Sequence, residues 1–232
     1  MYFTRPALEQ ATAYPVSSYR AERFRPYQEV LDLGCSIGGD TFSLAQAAFT
    51  FGVDLDPLRL AMARANLREL GLEERALVVQ GDLLRLPFRL AQGMALFFDP
   101  ARRTQQQRIY SVQDYLPPLD VVNDWLQSCP SVGVKISPGV SLAELSEYQV
   151  EIEFISLDGE LKEAALWFGP LRTAERRATL LPDKHTLAGL PDDRREGERL
   201  PIHEPQTYLY EPDPAVLRLV PIFIKTLTPR AA

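Results

Sequence analysis

At 232 residues, 46% of them hydrophobic and 24% charged, the chain has the length and composition of one large domain, or one domain plus a small appendage, with an ample core. A formal charge of −6 excludes a protein that coats nucleic acid by charge alone. No run approaches the roughly 18–20 apolar residues of a membrane span, and Cys35 and Cys129 make neither a disulfide framework nor a metal-ligand cluster, so no metal is expected.

Residues 1–27 read as an N-terminal helical segment. The opening MYFTRPALEQ lacks the basic start and apolar block of a secretory signal, so a cytoplasmic location is expected. Apolar residues recur at mixed helical spacing through ALEQATAYPVSSYRAERF, and Pro15 is expected to interrupt the helix. EVLDLG then reads as a strand, DTFSLAQAA as a short helix with Leu44, Ala45 and Ala48 on one face, and FTFGVDLD as a second strand. PLRLAMARANLREL is the clearest helix: Asp56 stands at its N-cap, Pro57 at its first position and Gly71 past its end. ALVVQGD and GMALFFDP read as the third and fourth strands, LDVVNDWLQSC as a helix and VGVKIS as the fifth strand. YQVEIEFIS and LKEAALWFG flank LDGE, an Asp-Gly turn that suits a β-hairpin.

The fold class expected is therefore α/β: a Rossmann-like, mostly parallel sheet over residues 28–170, with helices on both faces and a C-terminal antiparallel hairpin. Residues 171–232 form a C-terminal extension. In it RRATLLP reads as one more strand, PDDRREGERLP as an exposed linker, and TYLYEPDPAVLRLVPIFIKTL as a strand followed by a short helix.

Ligands of such sheets bind outside the carboxyl ends of the strands. The loop after the first strand runs Gly34, Cys35, Ser36, Ile37, Gly38, Gly39. A dinucleotide loop needs glycine where Ser36 stands, and a Walker phosphate loop needs a lysine that is absent. Asp32 weighs more than either. A carboxylate beside a pyrophosphate in a partly dry cleft repels it by several kcal/mol at an effective dielectric of about 20. The same carboxylate suits S-adenosylmethionine, which carries an ammonium and a sulfonium and no phosphate. Asp32 is expected on the ammonium side, directly or through water, with Gly34 and Gly38 letting the backbone approach the methionine and ribose. Asp54, Asp82 and Asp99 end the next three strands, with Asp54 placed for the ribose hydroxyls and Asp82 for the adenine amino group.

LDLGCSIGGD, GVDLDPLRLAMARANL, VVQGDLLRLP and FFDPARR together resemble the class I S-adenosylmethionine-dependent methyltransferases over about residues 28–170. The resemblance implies a seven-stranded sheet. It implies that Asp32, Gly34, Ser36 and Gly38 line the methionine and ribose side, that Asp54 binds ribose with Leu55 against the adenine, and that Asp82 and Leu83 fix the adenine edge. CSIGGD, DPARR, VKISPG and DGELKEAALWFGPL resemble more narrowly a bacterial methyltransferase group with a THUMP-like C-terminal region. That implies RNA as the substrate class and an incomplete THUMP-like region within residues 171–232.

At the acceptor side, amino-group methyltransferases often carry an acid or amide, two prolines and an aromatic. Here the segment is Asp99, Pro100, Ala101, Arg102, Arg103, so the acid and first proline remain and the aromatic does not. Asp99 is expected to orient the acceptor or take its proton. Arg102 is placed to stack on a base or grip a phosphate, with Arg103 beside it. Lys135 is expected to face the acceptor or pair with Asp99. Glu163 and Trp167 read as structural, the cysteines as core residues, and His185 and His203 as no general base. The function expected is an S-adenosylmethionine-dependent methyltransferase acting on RNA. A protein or small-molecule acceptor, or a non-catalytic cofactor- or RNA-binding scaffold, stays open. Asp32 and Ser36 oppose a dinucleotide oxidoreductase.

Overall fold

The apolar runs become the parallel strands β1 (Glu29–Leu33), β2 (Phe49–Asp54), β3 (Ala76–Gln80), β4 (Ala95–Phe98) and β5 (Val132–Ile136). The DG turn joins β6 (Val150–Leu157) to β7 (Glu160–Phe168), and RRATLL forms β8 (Arg176–Leu181), followed by β9 (His185–Gly189). A computed structural model describes residues 2–101, 111–189 and 211–219. The PDDRREGERLP linker and the expected strand of TYLYEP lie outside the described residues, apart from the last residues before Pro214.

Among the described residues the sheet has nine strands, in the order β3-β2-β1-β4-β5-β7-β6-β8-β9. β1 to β6 and β8 share one direction, and β7 and β9 run against it. The count exceeds the expected seven because residues 176–189 add two strands to the same sheet: β8 pairs in parallel with β6, from Ile152 beside Arg176 to Leu157 beside Leu181, and β9 pairs with β8. Strand order reverses between β1 and β4, where an open α/β sheet forms its ligand crevice.

The helices start and stop for local reasons. In α4 (Pro57–Glu69) the Asp56 side chain accepts from the Leu58 and Arg59 N–H groups at 2.8 and 3.3 Å. Gly71, at φ 67°, closes it: Leu72 N–H reaches Leu67 O at 2.8 Å and Gly71 N–H reaches Arg68 O at 3.0 Å. The N-terminal segment breaks at residues 11–13, between α1 (Arg5–Gln10) and α2 (Tyr14–Ala21), and not at Pro15. Pro15 sits in the first turn of α2, where its missing N–H costs no hydrogen bond.

Side chains alternate across each strand, and the two faces of this sheet differ in kind. One face presents Leu31, Leu33, Leu96, Phe98, Val134 and Ile136 to α5 (Val121–Leu126) and α6 (Pro214–Leu219), a wholly apolar core. The other face turns Val30, Phe97, Ala165 and Trp167 toward α2 and α3 (Gly39–Ala47). Period-two register puts polar residues on that second face as well: Asp32, Lys135, Glu151, Glu153 and Glu163, each at most 3% exposed. Two arginines of the N-terminal arm meet them. Arg20 of α2 donates to Asp40 and Glu163 and lies 4.4 Å from the Phe97 ring centroid. Arg23, one turn on, donates to both Glu151 oxygens at 2.9 Å and lies 4.5 Å from the Trp167 ring centroid.

Glu151 links the arm to the sheet's far end, since Arg177 Nε and the Thr173 and Ala174 N–H groups also donate to it. Burial pushes this carboxyl up, but the hydrogen bonds from Arg23, Arg177 and Thr173 outweigh it and carry its pKa to about 2. The unfolded chain therefore takes up the proton first as pH falls. The stabilisation, on the order of 3 kcal/mol, is complete above the ordinary carboxylate range and is lost as pH drops from about 4.5 to 2. Urea unfolding of Glu151→Gln across that range should show a smaller acid slope than the wild type; equal slopes would remove Glu151 from the account.

Candidate active site

A pocket of about 800 Å³ opens at the carboxyl ends of β1, β2 and β4, in the size range of small-molecule sites. Its floor is the loop after β1. Gly34 adopts φ +89° and lies so close to the next strand's exit that a Cβ there would stand 2.5 Å from the Asp99 carbonyl oxygen. Gly34 and Cys35 N–H groups donate to Val53 O at 2.9 and 3.1 Å, which ties the loop to β2. Ser36, at φ 50°, donates its N–H to Asp54 Oδ2 at 2.9 Å, and Asp56 N–H donates to Asp54 Oδ1 at 2.9 Å. Asp54 is thus fixed in the pocket wall with Leu55, which is 61% exposed. Across from them stand Asp82, whose Oδ1 accepts from Leu84 N–H at 2.9 Å, and Leu83. Gly38 opens α3. A substitution Gly34→Ala is expected to cost at least about 1–2 kcal/mol through backbone handedness alone and to push the Asp99 carbonyl aside. Scanning fluorimetry should show the lower melting point, and calorimetry at least about a tenfold loss of S-adenosylmethionine affinity.

Beneath the loop lies a buried charge cluster. Lys135 Nζ donates to Asp99 Oδ2 at 2.7 Å and stands 3.7 Å from Asp40 Oδ2. Asp40, in the first turn of α3, also takes Arg20 and, at 3.3 Å, the Thr12 hydroxyl. Burial alone pushes the Asp40 carboxyl up; the Arg20 and Lys135 charges outweigh it and hold it below the usual range. Asp32 is fully buried, does not line the pocket, and accepts Thr41 Oγ1 on Oδ2 at 2.5 Å. Its Oδ1 has no hydrogen-bond partner among the described residues. Burial, with Asp40 and Asp99 adding to it, raises Asp32 to about 8. Burial pushes the Cys35 thiol well up, so it stays protonated and inert.

The wall beyond β4 is framed by two chain segments. Ala101 and Leu116 exchange backbone hydrogen bonds at 3.1 and 3.2 Å, which fixes Pro100 and Ala101 opposite Pro117 and Pro118. Asp99, Lys135 and Glu163 form the polar part of this wall. Arg102, Arg103 and His203 lie outside the described residues, and His185 is exposed on β9. Trp167 is a core residue, with no exposed surface. The structure therefore gathers Gly34, Ser36, Asp54, Leu55, Asp82, Leu83, Asp99 and Lys135 around one pocket, with Asp32 behind its wall. Sequence reasoning missed Thr12, Arg20, Asp40 and the place of Glu163 in the pocket lining. The signal for Arg20 was its spacing: it shares the buried face of α2 with Val16, Ser17 and Ala21, a place where an arginine needs a buried acid.

The residues fit S-adenosylmethionine. The glycine cradle excludes a side chain, the wall carries acids for hydroxyl and amino groups, and the cluster in and behind it gathers four acidic side chains, Asp32, Asp40, Asp99 and Glu163, with two basic ones, Arg20 and Lys135. Residues 30–102 match the methyltransferase domain family. An uncharacterized S-adenosylmethionine-dependent methyltransferase of Mycobacterium tuberculosis strain H37Rv is 37% identical over 221 residues, 93% of this chain and 58% of its own length. Residues 30–102 thus resemble a methyltransferase domain, and the chain is similar to an S-adenosylmethionine-dependent methyltransferase over 93% of its length. It spans less than two thirds of that relative. A crystal structure from Porphyromonas gingivalis W83 shares the methyltransferase domain's fold, with a TM-score of 0.68 over 93% of this chain and 57% of its own, at 22% identity. A methyltransferase from Geobacter sulfurreducens matches less fully, with a TM-score of 0.50, 16% identity, and coverage of 72% of this chain and 91% of its own. Among the described residues no group of three or more His, Cys, Asp and Glu is arranged to hold a metal ion, and no helix is long and apolar enough to cross a membrane.

Proposed function

We propose that the chain transfers the methyl group of S-adenosylmethionine to an N–H or O–H group of an RNA acceptor. The observation that carries methyl transfer is the pairing of the glycine cradle with Asp99: the loop that receives the cofactor touches the backbone of the acid that faces the acceptor. Bound there, the cofactor supplies an electrophilic sulfonium methyl. Lys135 holds Asp99 Oδ2, which leaves Oδ1 to orient the acceptor and take its proton as the new bond to carbon forms and the carbon–sulfur bond breaks. The Ala101–Leu116 bridge holds the acceptor side in place, so that much of the rate comes from position.

RNA as acceptor rests on the resemblance of CSIGGD, DPARR and VKISPG to the THUMP-associated group. One observation favours a second reading, a small neutral or cationic acceptor. The charged residues of the described wall are mostly acids, Asp40, Asp54, Asp82, Asp99 and Glu163, against Arg59, Lys135 and Lys162. Incubation with radiolabelled S-adenosylmethionine and, separately, total RNA, total protein and a small-molecule extract tests both. Label in RNA supports the first reading, label in the extract the second, and label in protein alone sinks both.

A further inference from the structure

Six ionisable side chains from six chain segments meet at and behind the pocket floor. Asp32 comes from β1, Asp40 from α3, Asp99 from the end of β4, Lys135 from β5, Glu163 from β7 and Arg20 from α2. Arg20 serves Asp40 and Glu163, and Lys135 serves Asp40 and Asp99. Among the described residues, Asp32 is left with the Thr41 hydroxyl on Oδ2 and a buried Oδ1 without a donor. The Cys35 thiol also faces it and stays neutral. A buried carboxylate oxygen without a donor is the natural seat of a proton, and the neighbouring Asp40 and Asp99 charges favour it further.

We propose that Asp32 is protonated in the free protein and gives up this proton when the cationic cofactor docks on the loop above it, so that cofactor binding is proton release. Its pKa in the free protein, raised to about 8 by burial, Asp40 and Asp99 against the opposing Thr41 hydrogen bond and Arg20 charge, places the neutral form at and below neutral pH. An incoming positive charge favours the ionised form. Asp32 then recognises the charge of the ligand from behind the wall, and an uncharged nucleoside of the same shape gains nothing from it. The proposal rests on the reading that the pocket takes S-adenosylmethionine.

Titration calorimetry with S-adenosylmethionine at pH 6.5 tests it, since the ligand's amino group is already charged there. The enthalpy should depend on the ionisation enthalpy of the buffer with a slope approaching about one proton released per ligand. Wild-type affinity should correspondingly rise by close to tenfold per pH unit between about pH 5.5 and 7. Asp32→Asn, which keeps the shape and the bond to Thr41, should show neither effect. Binding with a buffer-independent enthalpy and a flat pH profile overturns the inference and leaves the methyltransferase reading intact. So does proton release that persists in Asp32→Asn. No binding of S-adenosylmethionine at any pH overturns both.

Discussion

Replacing Arg20 with leucine is expected to destabilise the protein by about 3–5 kcal/mol, measured by urea unfolding at neutral pH. The guanidinium is 2% exposed, donates to Asp40 and Glu163, and covers the Phe97 ring. Leucine fills part of the volume but leaves both carboxylates buried without their main donor. The double variant Arg20→Leu with Glu163→Leu should recover part of the loss, because it removes one of the stranded charges. A cost below about 1 kcal/mol would place the pair with ordinary surface bridges and contradict the burial.

Asp99→Asn is expected to lower the methyl-transfer rate by about 10²–10⁴ while cofactor affinity changes by less than about threefold. The amide keeps the side chain's shape but cannot take the acceptor's proton. Lys135, now 2.7 Å from an atom that no longer carries charge, retains Asp40 at 3.7 Å as its partner. The rate is read as radiolabel incorporation into whichever fraction accepts it, and affinity by calorimetry. A loss in binding equal to the loss in rate would show that Asp99 supports the cofactor and not the acceptor.

Much of the molecule could be read before the structure. The seven strand segments, the Asp56 cap and the Gly71 stop all form where local pattern put them, because apolar runs, caps and left-handed stops are decided within a few residues. The additional strands β8 and β9 were partly visible: RRATLL carried strand character, but nothing local says that it would pair beside β6. The site divides the same way. Strand-end acids were legible because the strands were. The inner cluster was not, because Arg20 and Glu163 stand 143 residues apart and meet only through the tertiary fold. Asp32 was legible as an acid at the loop, and its complete burial was not, since burial depends on α3 closing over it through Thr41.

Arg20 and Arg23 work as a phased pair. Each guanidinium lies over its own aromatic ring and reaches its own set of acids, and the two are separated by a single turn of backbone. One residue inserted or removed between them would swing one side chain by about 100° relative to the other. Both could not then reach their acids, and the arm would release either the floor of the pocket or the junction with β8. The length of that turn is thus under the same constraint as a core side chain, although the arm precedes residues 30–102, the segment that matches the methyltransferase domain family.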